Sequence, residues 1–280
     1  VQFSRTLEYL DGASLGVFGA GHLGSAVASC LLQKGFPISR LVVCHGGSPQ
    51  TAARLAKAGL SDRLVDANRL TRQSKVILYL VRPQGFRAIE HCELHPDALL
   101  ISFLAGTPLA LLPVSVPLSR RVRAMTSAPE TIEKGTAIGG MFPGGNPVAE
   151  ELLGALTSEQ FFLDKEDDMH VFTALGVCLP IVLACWRAQR TTVQEGALIQ
   201  YGHTRGFPHY ERILEWALRA EPRFETQSAR EEYVRKAATP GGVTEAMILR
   251  IQEGVSLPEA LESGVLRSEE LSRAGRRRTA

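Results

Sequence analysis

Gly19-Ala20-Gly21-His22-Leu23-Gly24 stands between a short apolar run, Ser14-Leu15-Gly16-Val17-Phe18, and a stretch of small, helix-forming residues from Ala26 to Leu32. Strand, tight turn and helix in that order open a βαβ unit. In a G-x-G-x-x-G turn the first glycine permits the bend and the second lets a pyrophosphate approach the backbone. The third lets the helix pack closely on the strand. The expected cradle for a dinucleotide is therefore Gly19, Ala20, Gly21, His22, Leu23 and Gly24, with His22 taking part through its backbone alone.

The alternation continues along the chain. Leu41-Val42-Val43-Cys44 reads as a second strand and 50–58 as a helix. Residues 76–81 and 99–103 are continuous apolar runs, the mark of parallel strands covered on both faces. Shorter strands are expected at 121–123 and 136–140. After about residue 165 helical spacing takes over, with helices expected at 171–187, 192–201, 210–219, 229–237 and 243–253. The predicted architecture is an α/β Rossmann-type, doubly wound sheet over 1–164 and an all-α domain over 165–280.

A net charge of +2 gives no reason to expect a nucleic-acid or membrane surface. No apolar run approaches the roughly 20 residues of a membrane span. Cys30, Cys44, Cys92, Cys178 and Cys185 are odd in number and lack C-x-x-C spacing, so they read as reduced thiols rather than disulfides or zinc ligands. The expectation is a cytoplasmic protein without a metal.

Cofactor choice turns on the end of the second strand, where an acid would hold the ribose 2′-hydroxyl of NAD. The chain has Cys44-His45-Gly46-Gly47-Ser48-Pro49 instead, with no acid. Ser48, and Arg54 one turn into the next helix, are suited to a 2′-phosphate, which favours NADPH over NADH. A helix cap is the other role open to Ser48, and a solvated helix face the other open to Arg54.

A second glycine cluster, Thr239-Pro240-Gly241-Gly242-Val243-Thr244, lies late in the chain. A Pro-Gly-Gly turn that opens a helix offers N–H groups to an anion, and the hydroxyls at its two ends are suited to orienting a small polar substrate. The early cluster points to a dinucleotide and the late one to what it reduces. The other role open to Thr244 is helix capping.

With these motifs in place the chain resembles the pyrroline-5-carboxylate reductase family over nearly all its length. Residues 16–24 resemble the family's nucleotide loop, and Val81-Arg82-Pro83-Gln84 its Val-Lys-Pro-Gln turn. Ser102-Phe103-Leu104-Ala105-Gly106-Thr107-Pro108-Leu109 resembles its Ser-x-x-Ala-Gly segment, and Thr239–Thr244 its Ser-Pro-Gly-Gly-x-Thr signature. The resemblance implies cofactor contacts at 19–24, Ser48, Val81, Arg82, Pro83, Ala105 and Gly106. Asn68 matches a family asparagine near the adenosine, one residue out of step. Thr239, Gly241, Gly242, Val243 and Thr244 are implied to surround a substrate carboxylate and ring nitrogen, the N–H groups of Gly242 and Val243 holding the carboxylate without an arginine. Thr244 is then the catalytic residue, hydrogen-bonded to the nitrogen directly or through water. The family also implies a homodimer, with the helical domain of one subunit facing the nucleotide domain of its partner, and includes rings of dimers.

Two segments depart from the family. Met125-Thr126-Ser127-Ala128-Pro129 stands for Met-Pro-Asn-Thr-Pro, so Ser127 replaces an asparagine near nicotinamide and substrate. Gly176-Val177-Cys178-Leu179-Pro180 stands for Ser-Gly-Ser-Gly-Pro, with Cys178 in place of a substrate-side serine. The expected reaction is NADPH-dependent reduction of a C=N bond in a small, carboxylate-bearing, cyclic imine other than the family's own. The alternatives are an authentic proline-pathway enzyme, a dinucleotide-binding regulator without turnover, and a hydroxyacid dehydrogenase or F420-linked reductase sharing the N-terminal half. The last leaves the Pro-Gly-Gly turn unexplained.

Overall fold

The computed structural model describes residues 3–82, 85–189 and 192–277. The chain divides into two compact units, the first ending at Glu166 and the second beginning at Asp167.

The first unit is a seven-stranded sheet of β1 (Ser14–Phe18), β2 (Leu41–Cys44), β3 (Ser74–Tyr79), β4 (Leu99–Ser102), β5 (Arg121–Thr126), β6 (Ile138–Phe142) and β7 (Glu159–Phe162). Its order is β2-β1-β3-β4-β5-β6-β7. The strands from β2 through β5 pair in parallel, β6 is antiparallel to β5, and β7 is parallel to β6. Around it lie α1 (Ser4–Leu10), α2 (His22–Gln33), α3 (Pro49–Lys57), α4 (Ala67–Gln73), α5 (Pro129–Glu133) and α6 (Pro147–Leu156).

Successive residues of a strand point to opposite faces, and here both faces are covered. Leu15, Val17, Val76, Leu78, Leu99 and Ile101 enter one buried cluster with Val27, Leu31 and Leu152 from the helices. Phe18, Ile77, Tyr79 and Leu100 enter the other with Leu70, Phe86 and Ile89. That is why the strands read as unbroken apolar runs. Because β1 has β2 on one side and β3 on the other, the turn after β1 lies at the point where strand order reverses, the usual binding crevice of such sheets. The edge strand β7 was not legible, since Glu159-Gln160-Phe161-Phe162 has no alternation and all four residues are partly or fully exposed.

The second unit contains α7 (Asp168–Val171), α8 (Leu179–Gln189), α9 (Glu195–Thr204), α10 (Tyr210–Ala220), α11 (Gln227–Ala237), α12 (Val243–Gln252) and α13 (Leu257–Arg277). The helix expected over 171–187 is interrupted. Residues Phe172–Val177 form a π turn between α7 and α8, and the two helical arms are bent by 50°. Pro180, the second residue of α8, has no N–H to satisfy and so suits the start of a new helix. The long helix α13 was not anticipated. Its buried stripe passes from Leu257, Ala260, Leu261 and Val265 to Ser268 and Ser272, so the apolar pattern fades while the packing continues. Among the described residues no single helix is long and apolar enough to cross a membrane.

Candidate active site

The glycine turn after β1 assigns each glycine a separate task. Gly19 has φ +98°, and a methyl carbon added there would lie 2.7 Å from the backbone nitrogen of Val81. One added at Gly24 would lie 2.4 Å from the Gly19 carbonyl oxygen, whereas at Gly21 it would meet nothing within 4 Å. Gly19 and Gly24 thus serve close packing, and Gly21 leaves open the approach that a pyrophosphate needs. The N–H groups of Gly19 and Ala20 both donate to the Cys44 carbonyl, at 3.1 and 2.8 Å, and that of Gly21 to Gly19 at 2.7 Å. The donors left over are those of His22, Leu23 and Gly24, which begin α2 and have no acceptor within the helix. The N–H groups open to an anion therefore lie on the second half of the motif. His22 also engages its side chain, with Nε2 3.7 Å from Glu130 Oε1.

No acid follows β2. Gly46 and Gly47 border open space, and Ser48 precedes α3 without capping it; its hydroxyl donates to Gln50 Oε1 at 2.7 Å. Arg54 Nε donates to the Gln50 carbonyl at 3.3 Å. Asn68 is exposed on the first turn of α4, which is capped by Asp66 accepting from the Arg69 N–H at 2.8 Å. After β3, Val81 is half-buried and Arg82 exposed. Pro83, with Gln84, lies outside the described residues.

Ala105 and Gly106 follow β4 in a loop that β5 holds by charge. Arg121 donates from Nε to the Val116 carbonyl at 2.6 Å and from Nη1 to the Leu109 carbonyl at 2.8 Å. Glu166 accepts from the Leu109 N–H at 2.6 Å and stands 3.5 Å from Arg123 Nη1, whose side chain is 0% exposed. The sequence signal for this clamp, two arginines alternating in a strand otherwise covered on both faces, was present but carried no indication of partners.

Ser127, expected near the substrate, is engaged within its own domain. It is 2% exposed, its hydroxyl accepts from the Ile138 N–H at 3.1 Å, and it shares a 2.7 Å hydrogen bond with Thr131. The side chain ties together the segment between β5 and β6.

In the helical unit, Thr239-Pro240-Gly241-Gly242 forms a β-turn, with the Gly242 N–H donating to the Thr239 carbonyl at 2.8 Å and Gly241 at φ +68°. The Gly242 N–H is therefore spent within the turn, contrary to expectation. Thr239 contributes its carbonyl to that bond. The Gly241 N–H is taken as well, by Glu245 Oε2 at 2.6 Å, and the Gly241 carbonyl accepts from Arg267 Nε at 2.8 Å. Val243 and Thr244 begin α12, and their N–H groups have no acceptor within the helix, so they are donors that the turn leaves open. No sequence pattern marks Glu245 or Arg267 for these contacts. Thr244 does not cap its helix; its hydroxyl donates to Cys178 Sγ at 3.3 Å. Burial pushes the Cys178 thiol up to about 11, with the Thr244 hydrogen bond acting weakly in the opposite sense. Leu179 is 0% exposed, so its added volume is absorbed by packing.

Residues 14–106 match the sequence profile of a family described as NADP oxidoreductase, coenzyme F420-dependent. No curated protein sequence matches the chain significantly. Solved structures similar over nearly its whole length include three pyrroline-5-carboxylate reductases. The pyrroline-5-carboxylate reductase of Coxiella burnetii is 20% identical, with a TM-score of 0.56 covering 93% of this chain and 98% of that one. The enzyme from Streptococcus pyogenes is 15% identical, with a TM-score of 0.55 over 92% and 98%. The Plasmodium falciparum pyrroline carboxylate reductase with NADP bound is 15% identical, with a TM-score of 0.52 over 93% and 98%. From the sheet through the last helices, this chain has the fold of the pyrroline-5-carboxylate reductases.

Proposed function

We propose that the protein is an NADPH-dependent oxidoreductase that reduces the C=N bond of a small, carboxylate-bearing cyclic imine. The observation that carries this reading is the start of α12. There the N–H groups of Val243 and Thr244 and the Thr244 hydroxyl come from consecutive residues, in a chain that also holds an open dinucleotide turn at Gly21.

The residues suit the cofactor. His22, Leu23 and Gly24 hold the diphosphate through backbone N–H groups, and Ser48 and Arg54 meet the 2′-phosphate where an acid would have selected NAD. When bound, NADPH supplies the hydride. The chain's part is to position and polarise. The first-turn N–H groups of α12 hold the carboxylate, and the Thr244 hydroxyl holds the imine nitrogen or a water that protonates it. An F420-linked reading accounts for the matched residues 14–106 but leaves the start of α12 without a purpose.

The proposal extends to a homodimer in which each nucleotide domain serves the helical domain of the partner subunit. Leu249 and Leu266 in the helical unit, 50% and 47% exposed, are surface that such an assembly would cover. The unpaired cysteines accord with a reducing, cytoplasmic compartment.

The test is NADPH oxidation, followed by absorbance, against cyclic imines with and without a carboxylate. Turnover of carboxylated imines in preference to neutral ones supports the reading. Turnover of pyrroline-5-carboxylate at about 10 per second or more identifies a proline-pathway enzyme instead. NADPH binding without turnover of any imine identifies a regulator.

A further inference from the structure

The helix that begins at Asp168 loses its regular register just before Cys178. Thr173 Oγ1 donates to the Met169 carbonyl at 2.6 Å, a back-bond that bends helices, and the Cys178 N–H reaches five residues back to the Thr173 carbonyl at 3.1 Å. A π turn of this kind inserts one residue and rotates every side chain after it. At Cys178 the regular ladder resumes, since its own carbonyl accepts from the Val182 N–H at 3.3 Å. Cys178 is therefore the residue whose aim the irregularity sets. What it meets, 66 positions along the chain, is the Thr244 hydroxyl at 3.3 Å.

Thr244 is free to make that contact because other groups manage the end of α12. Glu245 takes the Gly241 N–H, Arg267 takes the Gly241 carbonyl, and the Gly242 N–H closes its own β-turn. Val243 cannot hold a hydroxyl, so Thr244 offers the first polar side chain of the helix, and its rotamer decides where an O–H points. A thiol sulfur is a weak acceptor. It holds the hydroxyl in one direction at little energetic depth, so a better acceptor can recruit the same proton with a small movement. The thiol is a neutral S–H across the physiological range because burial opposes its ionisation, so it does not compete with a bound carboxylate by charge.

We propose that Cys178, delivered by the π turn at Phe172–Val177, is a positioning residue that pre-orients the Thr244 hydroxyl toward the imine and releases it when substrate binds. This rests on the proposed imine reduction, but the geometric part is testable apart from it.

The experiment compares wild type, Cys178→Ala, Cys178→Ser, Thr244→Val and the Cys178→Ala/Thr244→Val pair. Each is assayed with NADPH and the best-turned-over cyclic imine, and each is examined by methyl NMR of threonine-labelled protein, the Thr244 signal being assigned by its loss in Thr244→Val. Cys178→Ala is expected to lower kcat roughly three- to tenfold, the scale of one weak hydrogen bond, with NADPH affinity unchanged. Cys178→Ser restores at least half of the rate. In the Thr244→Val background the alanine substitution changes kcat less than about twofold, because the group it positions is gone. The Thr244 methyl signal shifts in Cys178→Ala and returns toward wild type in Cys178→Ser. Independent, multiplying effects of the two substitutions overturn the proposal, as does an unmoved methyl signal. If wild type reduces no imine, the proposed reaction fails, and the methyl signal alone then decides whether Cys178 orients Thr244.

Discussion

Arg267 Nε donates to the carbonyl oxygen of Gly241 at 2.8 Å, joining α13 to the turn that opens α12. A lysine lacks this Nε donor and its planar fork. Arg267→Lys is expected to raise KM for a carboxylate-bearing imine roughly three- to tenfold while costing about 1 kcal/mol or less in stability, since the Arg267–Glu270 pair at 3.0 Å is solvent-screened. Steady-state kinetics beside urea unfolding check both numbers. A KM that does not move would show that the turn keeps its shape without the arginine.

The glycines of the nucleotide turn separate folding from binding. Gly24→Ala places a methyl 2.4 Å from a backbone oxygen that cannot move aside, and is expected to destabilise the first unit by at least 2 kcal/mol, of order. Gly21→Ala meets nothing within 4 Å and is expected to leave Tm nearly unchanged while weakening NADPH binding about tenfold or more. Calorimetry paired with fluorescence titration distinguishes them. Equal losses of stability would contradict the assignment.

Glu166 is the carboxylate beside a fully buried arginine and the acceptor for the Leu109 N–H. Glu166→Ala removes the carboxylate beside Arg123 and one of the ties on the loop that follows Ala105 and Gly106. A loss of about 2–4 kcal/mol is expected from urea unfolding, the lower end because Glu166 itself is 24% exposed. A loss under about 1 kcal/mol would show that Arg123 is compensated by other groups.

Alkaline pH should weaken the fold through its thiols. Burial pushes Cys44, Cys178 and Cys185 up from 9.0 to about 11. A folded-state pKa above the unfolded one means that stability is complete below about pH 9 and falls as pH rises toward about 11, as the unfolded chain loses protons first. Each thiol contributes up to about 2–3 kcal/mol over that window. Urea midpoints measured in reductant between pH 8 and 11 should decline; a flat profile would mean that these thiols are hydrated.

Arg54 offers a test of cofactor choice. Its Nε is tied to the Gln50 carbonyl at 3.3 Å, which leaves the guanidinium tip available for a 2′-phosphate. Arg54→Ala is expected to weaken NADPH about tenfold and NADH less than twofold, the scale of a charge-assisted hydrogen bond. Equal effects on both, measured by titration, would remove Arg54 from the site.

Much of this architecture could be read from residue order alone, because its causes are local. Four parallel strands, β1 to β4, announce themselves as apolar runs once both faces of a sheet are covered. Gly19 and Gly24 announce a turn because only glycine tolerates the contacts there, Gly21 because it keeps the backbone uncovered, and Pro240-Gly241-Gly242 announces a helix start through its own backbone freedom. Packing without hydrophobicity was not readable. The serine stripe of α13 and the half-exposed edge strand β7 bury or pair residues that no apolar pattern marks.

The same division runs through the candidate site. Residue type and spacing sufficed to locate both glycine turns, since backbone freedom belongs to the residue itself. Whether a donor in those turns is available does not. Cys44, brought alongside by strand pairing, consumes the N–H groups of Gly19 and Ala20; Ile138 and Thr131 consume the Ser127 hydroxyl; a π turn carries Cys178 to Thr244. A hydrogen bond is a relation between two groups, and when they lie 66 residues apart only the folded packing brings them within reach.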